Sequence, residues 1–506
     1  MRKDFESNNS VWSDITSPEL DELNNAQTCQ VCVIGAGIAG LTTAYLLTKM
    51  GQAVVVLEDG TVGGGETRRT TAHLTNALDD RYFNLEKIRG KAIARLAAES
   101  HTTAISRIES IVESEGIDCD FQRLDGFLFV PPKRSIRPLK RELDAAHRAG
   151  LTGVELLDKA PLESFNTGPC LRYPNQGQFH PLKYLSGLVE VLRENGARLY
   201  TGAHVTRVNG GMPARVETQR GHVISANAVV VATNSPITDI VSIHTKQFPY
   251  RTYAIGVNVP PGSVHSGLYW DTLDPYHYIR LQGDDMLIVG GEDHKTGQED
   301  DPASRFRKLE RWARKRFSIE DVKFRWSGQV IETMDGLAFI GKDPSGLENV
   351  YVVTGDSGMG MTHGTIAGIL LSDLIMGREN PWTEVYDPSR KPVRGFTDFV
   401  KENVNVAVQY TDWLKGGDIA SANDIPLGEG AILQDGVSKQ AVYRADDGRF
   451  HAMSAVCTHL GCIVKWNKAE KSWDCPCHGS RFDSLGRVIN GPATKDLAPV
   501  ELRKIA

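Results

Sequence analysis

The chain has 506 residues, too many for one ordinary hydrophobic core, so two or three domains are expected. Apolar residues make up 41% and charged residues 24%, the balance of an ordinary globular protein. A net charge of -6, from 57 basic and 63 acidic residues, argues against a nucleic-acid scaffold. No apolar run reaches the roughly 18 residues that a spanning helix needs.

The first 28 residues are polar and are expected to drape over the surface as an N-terminal extension. Met1 to Ser10 contain neither a hydrophobic leader core nor twin arginines, which predicts a cytoplasmic protein. Four of the eight cysteines fall in one C-terminal stretch, while Cys29, Cys32, Cys119 and Cys170 are scattered. Scattered cysteines in a reducing compartment act as small buried hydrophobes.

Cys29 to Val33 reads as a short buried strand, followed by Gly35-Ala36-Gly37-Ile38-Ala39-Gly40 and a helix over about 41–50. A second strand, Ala53 to Leu57, ends on Glu58. Together these form a βαβ dinucleotide fingerprint. Gly35 serves the tight turn, Gly37 the approach of a pyrophosphate, and Gly40 close helix–strand packing. The unpaired N–H groups and positive end of the helix, with Ile38 and Ala39 in the glycine loop before it, suit phosphate. Glu58 is placed to accept ribose hydroxyls.

A second flexible loop follows, Gly63-Gly64-Gly65 and then Thr67 to His73, carrying Thr70, Thr71 and Ala72. Ala228 to Thr233 reads as a buried strand ending in Ala232 and Thr233. Asn349 to Thr354 is another, running into the glycine-rich turn Gly355 to Thr362 and a helix. Such a strand-to-helix turn aims backbone donors at a ring that gains negative charge.

Residues 29–385 resemble the FAD-dependent oxidoreductases of the D-amino-acid-oxidase and glycine-oxidase type. The resemblance rests on Gly35, Gly37, Gly40, Glu58, the Thr-Thr-Ala-His loop, Gly202 to Val205, Ala232-Thr233, Asp335-Gly336-Leu337 with Ile340-Gly341, and the final glycine-rich turn. It implies FAD, with Val205 near the adenine and Gly358, Met359, Gly360, Met361 and Thr362 near the flavin ring. Gly65, Thr70, Thr71, Ala72 and His73 belong to the same implied site. In some relatives a histidine in the region of His73 is bonded covalently to flavin, but the sequence around it departs from that version. A noncovalent place beside the flavin, or plain packing, is the expectation for His73.

The resemblance also implies an α/β Rossmann-like FAD-binding part (about 29–84, 165–240 and 330–385) interleaved with an α+β substrate domain (about 85–164 and 241–329). Residues 85–115 have helical spacing, and 250–294 alternate as strands. In the latter, period-two geometry puts Tyr276, Tyr278 and Arg280 on one face. In the family a sheet of this kind roofs the flavin, and an arginine with tyrosines holds a substrate carboxylate. Tyr253, Tyr278, Arg280 and His73 are therefore the candidates for a catalytic or substrate-holding role. The plainer alternative is aromatic packing with a solvated arginine.

Residues 386–416 read as a linker and bridging segment. Its latter part, from 396 to 414, is amphipathic, with Phe396, Phe399, Val400, Val404 and Val408 on one side. From 417 to 506 short alternating strands and glycine turns predict a small all-β domain. Inside it, Cys457-x-His459 and Cys475-x-x-His478 supply two thiolates and two imidazoles. This set suits a Rieske [2Fe–2S] centre or a Cys₂His₂ zinc site. Classical fingers place both cysteines before both histidines, whereas each half here has one of each.

Cys457-Thr-His-Leu-Gly-Cys462 and Cys475-Pro-Cys-His-Gly-Ser480 resemble the Rieske loops of cytochrome bc complexes, and Gly491-Pro492-Ala493 matches their third loop. The resemblance implies that Cys457, His459, Cys475 and His478 hold the cluster and that Cys462 and Cys477 form a disulfide. It further implies that Ser480 hydrogen-bonds a cluster sulfide and that the histidines lie at an exposed tip.

The expected activity is oxidation of a small amine or amino acid at its C–N bond by FAD. Electrons then pass singly through the cluster to an external partner such as a ferredoxin, because a flavin links two-electron to one-electron chemistry. Two alternatives stand beside it. In one, a reduced partner feeds the cluster and then FAD in a reductase or monooxygenase reaction. In the other, the chain is a redox-sensing binding protein.

Overall fold

The structure, a computed structural model, describes residues 9–238, 243–299, 301–391, 405–406, 409–413, 416–436 and 438–502. Its nucleotide-binding half is a mixed sheet whose centre is parallel. In spatial order the path runs Asp21–Glu22, Arg198–Thr201, Val54–Leu57, Gln27–Ile34, Val223–Val231, Ala214–Thr218 and Val205–Asn209, with Val350–Thr354 also parallel to Val223–Val231. The central strands are buried along almost their whole length, which is why they read as continuous valine runs rather than as alternation.

The helices Ile38–Lys49 and Gly360–Ile375 follow two of these strands and pack on each other. Glycines make the close crossing possible: a Cβ at Gly364 would stand 2.7 Å from Ile38 Cγ2, and one at Gly368 would stand 2.6 Å from Thr42 Cγ2. Both helix N-termini therefore open at the carboxyl ends of the parallel strands, where such sheets bind ligands.

A second, largely antiparallel sheet runs Val322–Thr333, Gln247–Asn258, Met286–Lys295, His277–Gln282, Leu268–Asp271, Gln122–Phe129, Cys170–Gln178 and His73–Leu74. Cys170–Gln178, expected with the nucleotide-binding part, belongs here instead, because it pairs with Gln122–Phe129. The helical stretch expected over 85–115 is two helices, Tyr82–Arg89 and Lys91–Glu115, parted at Gly90 with its φ of 89°.

Most of the described part of the N-terminal extension is exposed or half-buried, but it is pinned at Trp12. Trp12 is wholly buried, donates from Nε1 to the Thr70 carbonyl at 2.8 Å, and lies under the Arg280 guanidinium. An indole of that size stabilises more by burial than a surface strand could.

The C-terminal part has a three-stranded sheet, Glu429–Asp435, Ser438–Arg444 and Phe450–Ser454, and a four-stranded one, Lys465–Asn467, Ser472–Asp474, Arg481–Asp483 and Val488–Asn490. The apolar side expected at Phe396, Phe399, Val400, Val404 and Val408 lies outside the described residues. Within the same bridging segment, Tyr410 Oη donates to the Leu460 carbonyl at 2.9 Å, and Trp413 Nε1 donates to the Gly461 carbonyl at 3.0 Å. This segment thus clamps the loop between Cys457 and Cys462. No described helix is long and apolar enough to cross a membrane.

Candidate active site: a shared cavity and a cysteine–histidine cluster

A cavity of about 330 Å³ begins at the carboxyl ends of the parallel strands and runs beneath the second sheet. Its first wall is the glycine turn. Gly35 has a φ of 106°, and a Cβ there would stand 2.5 Å from the Ala232 carbonyl oxygen. The Gly40 Cα packs directly on the Gly35 carbonyl, so Gly40 shapes the turn without lining the cavity. A Cβ at Gly37 would come within 3.1 Å of Thr67 Oγ1. The absence of side chains at these glycines leaves room for a phosphate chain to approach the backbone.

Glu58 lines the same wall, with its carboxylate accepting the Ala36 and Gly60 N–H groups at 2.8 and 2.9 Å. Burial raises its pKa. Ile38, Ala39, Gly65, Thr70, Thr71, His73, Val205, Ala232, Thr233, Gly358, Met359, Gly360 and Met361 all line this one cavity.

Besides Gly40, two further residues expected at the site do not line it. Ala72 is fully buried, and Thr362 turns back to bond His101 Nδ1 at 2.9 Å. His73 lies between the cavity and the second sheet. Its Nδ1 meets Thr71 Oγ1 at 3.0 Å and its Nε2 the Ile279 carbonyl at 3.4 Å. Burial, followed by the Arg280 charge, pushes its pKa down to about 3, so this imidazole is neutral.

The candidates on the second sheet separate. Tyr278 lines the cavity beside Tyr276, Trp270 and Thr252, and its hydroxyl is 2.9 Å from Thr252 Oγ1. Tyr253, one residue on from Thr252, points to the opposite face, where it packs on Phe306 and bonds His294 at 2.8 Å. Arg280 shares the Tyr278 face but is wholly buried. Its guanidinium donates to the carbonyls of Ala72 at 2.9 Å, Thr71 at 3.2 Å and Phe179 at 3.3 Å, and also to Gln282. The expected carboxylate clamp is therefore a backbone brace: it ties the Thr71-Ala72 loop to the sheet and does not line the cavity.

Beside the Arg69 guanidinium, the lining of the cavity carries acids. Asp79 and Asp356 both face it, and burial raises them to about 6 and about 7. Asp293, near Thr252 and Asp79, is likewise raised by burial to about 7. Neither motif nor periodicity marks Asp79. It stands in an irregular turn, brought into place by the fold alone.

The cysteine–histidine loops meet as a pair. Cys457 and Cys475 are both buried, and the hydrogen bond between their thiols lowers Cys457 and raises Cys475. The His459 and His478 rings lie 5.0 Å apart, centroid to centroid. Cys462 and Cys477 are joined in a disulfide with Cα atoms 6.5 Å apart. The sulfurs of Cys462, Cys475 and Cys477 also lie within 4.8 Å of one another, but the first and last are spent on the disulfide and have no thiolate to offer a metal. Two thiols and two imidazoles, one of each per loop, fit a [2Fe–2S] centre with split ligation. Ser480 is buried, hydrogen-bonds Cys457, and accepts the Ala493 N–H at 3.0 Å from the third loop.

The histidine tip, expected to be exposed, is half-buried. The His244 ring, fully packed on the oxidoreductase side, lies 5.0 Å from His459 and 5.9 Å from His478. Gln329, a cavity-lining residue, donates to the Gly479 carbonyl at 3.1 Å. His204 bridges the parts at a second point, between Asp59 Oδ2 at 2.8 Å and the Thr494 carbonyl at 2.9 Å.

The hydrogen bond to Asp59, with that to Thr494 and the nearby Asp496, raises His204 to about 9. A raised folded pKa means that its contribution is full below the ordinary value near 6.5 and is lost as pH rises through about 9. The difference in thermal midpoint between wild type and His204→Ala is thus expected to shrink between pH 6.5 and pH 9.

Fold and cavity define a flavoprotein oxidoreductase with an iron–sulfur domain attached. The chain belongs to the FAD dependent oxidoreductase family, whose model matches residues 30–374, and it carries a Rieske [2Fe-2S] domain matched over 417–501. It is 32% identical to the putative Rieske 2Fe-2S iron-sulfur protein YhfW of Bacillus subtilis over 97% of both chains. It is 29% identical to the gamma-glutamylputrescine oxidoreductase of Escherichia coli over 71% of this chain and 86% of that one. Its fold matches glycine oxidase from Geobacillus kaustophilus with a TM-score of 0.62 at 19% identity, over 72% of this chain and all of the other.

Proposed function

We propose that this protein oxidises a small cationic amine at its C–N bond and delivers the electrons one at a time, through the Rieske cluster, to an external acceptor such as a ferredoxin. The observation that carries the reading is the contact between the two sites: Gln329 lines the cavity and bonds the cluster loop at Gly479, while His244 packs on His459 and His478. Bound FAD supplies hydride acceptance and the split from two-electron to one-electron transfer.

The residues around it hold and orient. Gly35, Gly37, Ile38 and Ala39 would receive the pyrophosphate at a helix N-terminus, Glu58 the ribose, and Gly358 to Met361 the ring. Cys457, Cys475, His459 and His478 would hold the cluster. Asp79 and Asp356, carboxyls raised by burial, line the cavity with Trp270, Tyr276 and Tyr278 as an aromatic wall; a bound ammonium would draw both toward the charged form, an arrangement that favours an ammonium over a carboxylate. The relatives named for gamma-glutamylputrescine and glycine point to the same amine and amino-acid class. Four buried cysteines without a disulfide, Cys29, Cys32, Cys119 and Cys170, favour a reducing, cytoplasmic compartment.

The test is anaerobic titration with mono- and diamines and with neutral amino acids, following flavin absorbance and the cluster EPR signal. An amine is expected to bleach the flavin first and then to generate the reduced-cluster signal. Bleaching without cluster reduction would remove the internal relay. Bleaching by amino acids alone would remove the cationic-amine assignment.

A further inference from the structure

We infer that the Rieske domain supplies a wall of the flavin-nucleotide site itself, so that flavin retention depends on that domain being docked. The inference rests on the cavity being the FAD site, as proposed above. The same cavity that contains Gly35, Gly37 and Glu58 is lined by Val488, Ile489, Asn490, Gly491, Ala493 and Thr494 of the cluster domain. Thr494 stands at its nucleotide end, bonded to His204, which Asp59 beside Glu58 holds, and a Cβ at Gly491 would stand 3.4 Å from the Ser235 carbonyl oxygen, just past the Ala232-Thr233 strand end.

The wall is fastened from both sides. Asn490 Nδ2 donates to Glu66 Oε1 at 3.1 Å, and Glu66 Oε2 accepts the Gln329 N–H at 2.7 Å. His204 holds the Thr494 carbonyl while its other nitrogen is held by Asp59, the neighbour of Glu58. Behind the wall, the Ala493 N–H is bonded to Ser480 Oγ, and the Lys495 carbonyl accepts from Thr458 Oγ1 at 2.5 Å. Ser480 and Thr458 belong to the two cluster loops. One short segment therefore touches the flavin cavity on its outer face and both cluster loops on its inner face.

Asn490 Oδ1 is a buried acceptor with no hydrogen-bond partner among the described residues. A buried unpaired acceptor is costly, and a nucleotide hydroxyl or amine reaching the wall would satisfy it. The ligand chemistry assigned to Val488–Thr494 is thus the ribose and adenine end of the flavin nucleotide.

The experiment uses the full-length holoprotein and measures the FAD dissociation constant and release rate by flavin fluorescence, with cluster content followed by EPR. Asn490→Ala is expected to weaken FAD binding on the order of tenfold with the cluster signal retained. Glu470→Gln, which loosens the domain contact without lining the cavity, is expected to speed FAD release as well. Unchanged FAD affinity and release in both variants, with intact clusters, overturns the inference. A wild-type protein that binds no FAD would instead overturn the reading of the cavity.

Discussion

Replacing Cys475 by serine is expected to give a protein that, in FAD-containing buffer, still bleaches with substrate yet lacks the cluster EPR signal and no longer reduces a one-electron acceptor. The expectation follows from position. Of the four cysteines in the cluster loops, Cys457 and Cys475 are the two that the disulfide leaves free, and they face each other across the two loops. Loss of an outer-shell partner already costs about 10–100-fold in metal affinity, so loss of a ligand should exceed roughly 100-fold. The glycine turn and Glu58 fold on their own strands, and the FAD in the buffer offsets any loosening of the cluster-domain wall.

Ser480→Ala is the instructive companion to Cys475→Ser. It removes a hydrogen bond to Cys457 without removing a ligand, so the cluster should assemble with a lower reduction potential, read by redox titration. A Cys475→Ser protein with a full cluster signal would refute the ligand assignment, and an unshifted potential in Ser480→Ala would refute the role of the serine.

The two motifs that are legible in the sequence share a physical property: each is a backbone device completed within a few residues. Gly35 and Gly40 read correctly because a βαβ turn is geometrically closed over a short span, and any Cβ there would strike its own turn or the neighbouring strand. The paired Cys/His loops are local in the same way.

What could not be read depends on which face of a strand meets which distant segment. Thr252 and Tyr253 are adjacent, yet one faces the cavity and the other the opposite core. Arg280 has the right face, but Thr71, Ala72 and Phe179 reach its guanidinium first. Trp12 looks like part of a polar tail until Thr70 is beside it. The contact of Asn490 with Glu66 spans 424 positions of sequence, and no local pattern encodes it. The Trp12 anchor, the cavity acids and the domain contact were hidden for this one reason.

Glu470→Ala is the substitution expected to damage the domain contact most. Glu470 is almost fully buried between two guanidinium groups: it accepts from Arg251 and Ser327 of the oxidoreductase part, and from Arg481 of its own domain at 2.6 Å. Burial alone would raise its carboxyl, but Arg251 and Arg481 hold it well below the usual range. Asp474, 2.9 Å from Arg481, remains as that arginine's partner in the variant. Arg251 loses Glu470 as its carboxylate partner and stays buried.

Removing one member of a buried pair costs about 3–5 kcal/mol, and the loss should fall on the docked state rather than on either fold alone. Chemical denaturation followed separately by flavin fluorescence and by cluster absorbance should show the two signals, coincident in wild type, parting in the variant. Replacing Arg251 and Glu470 together by methionine should recover much of the loss, because no uncompensated charge is then buried. The sign with pH follows from the lowered carboxyl. Its contribution is present above the ordinary glutamate value near 4.3 and is lost as pH falls through the lower folded value. The gap between wild type and variant should therefore stay constant from neutral pH to about 5 and close only in acid. A cost below about 1 kcal/mol, the level of an exposed pair, would mean that the contact is held by the Gln329, Asn490 and His204 bonds instead.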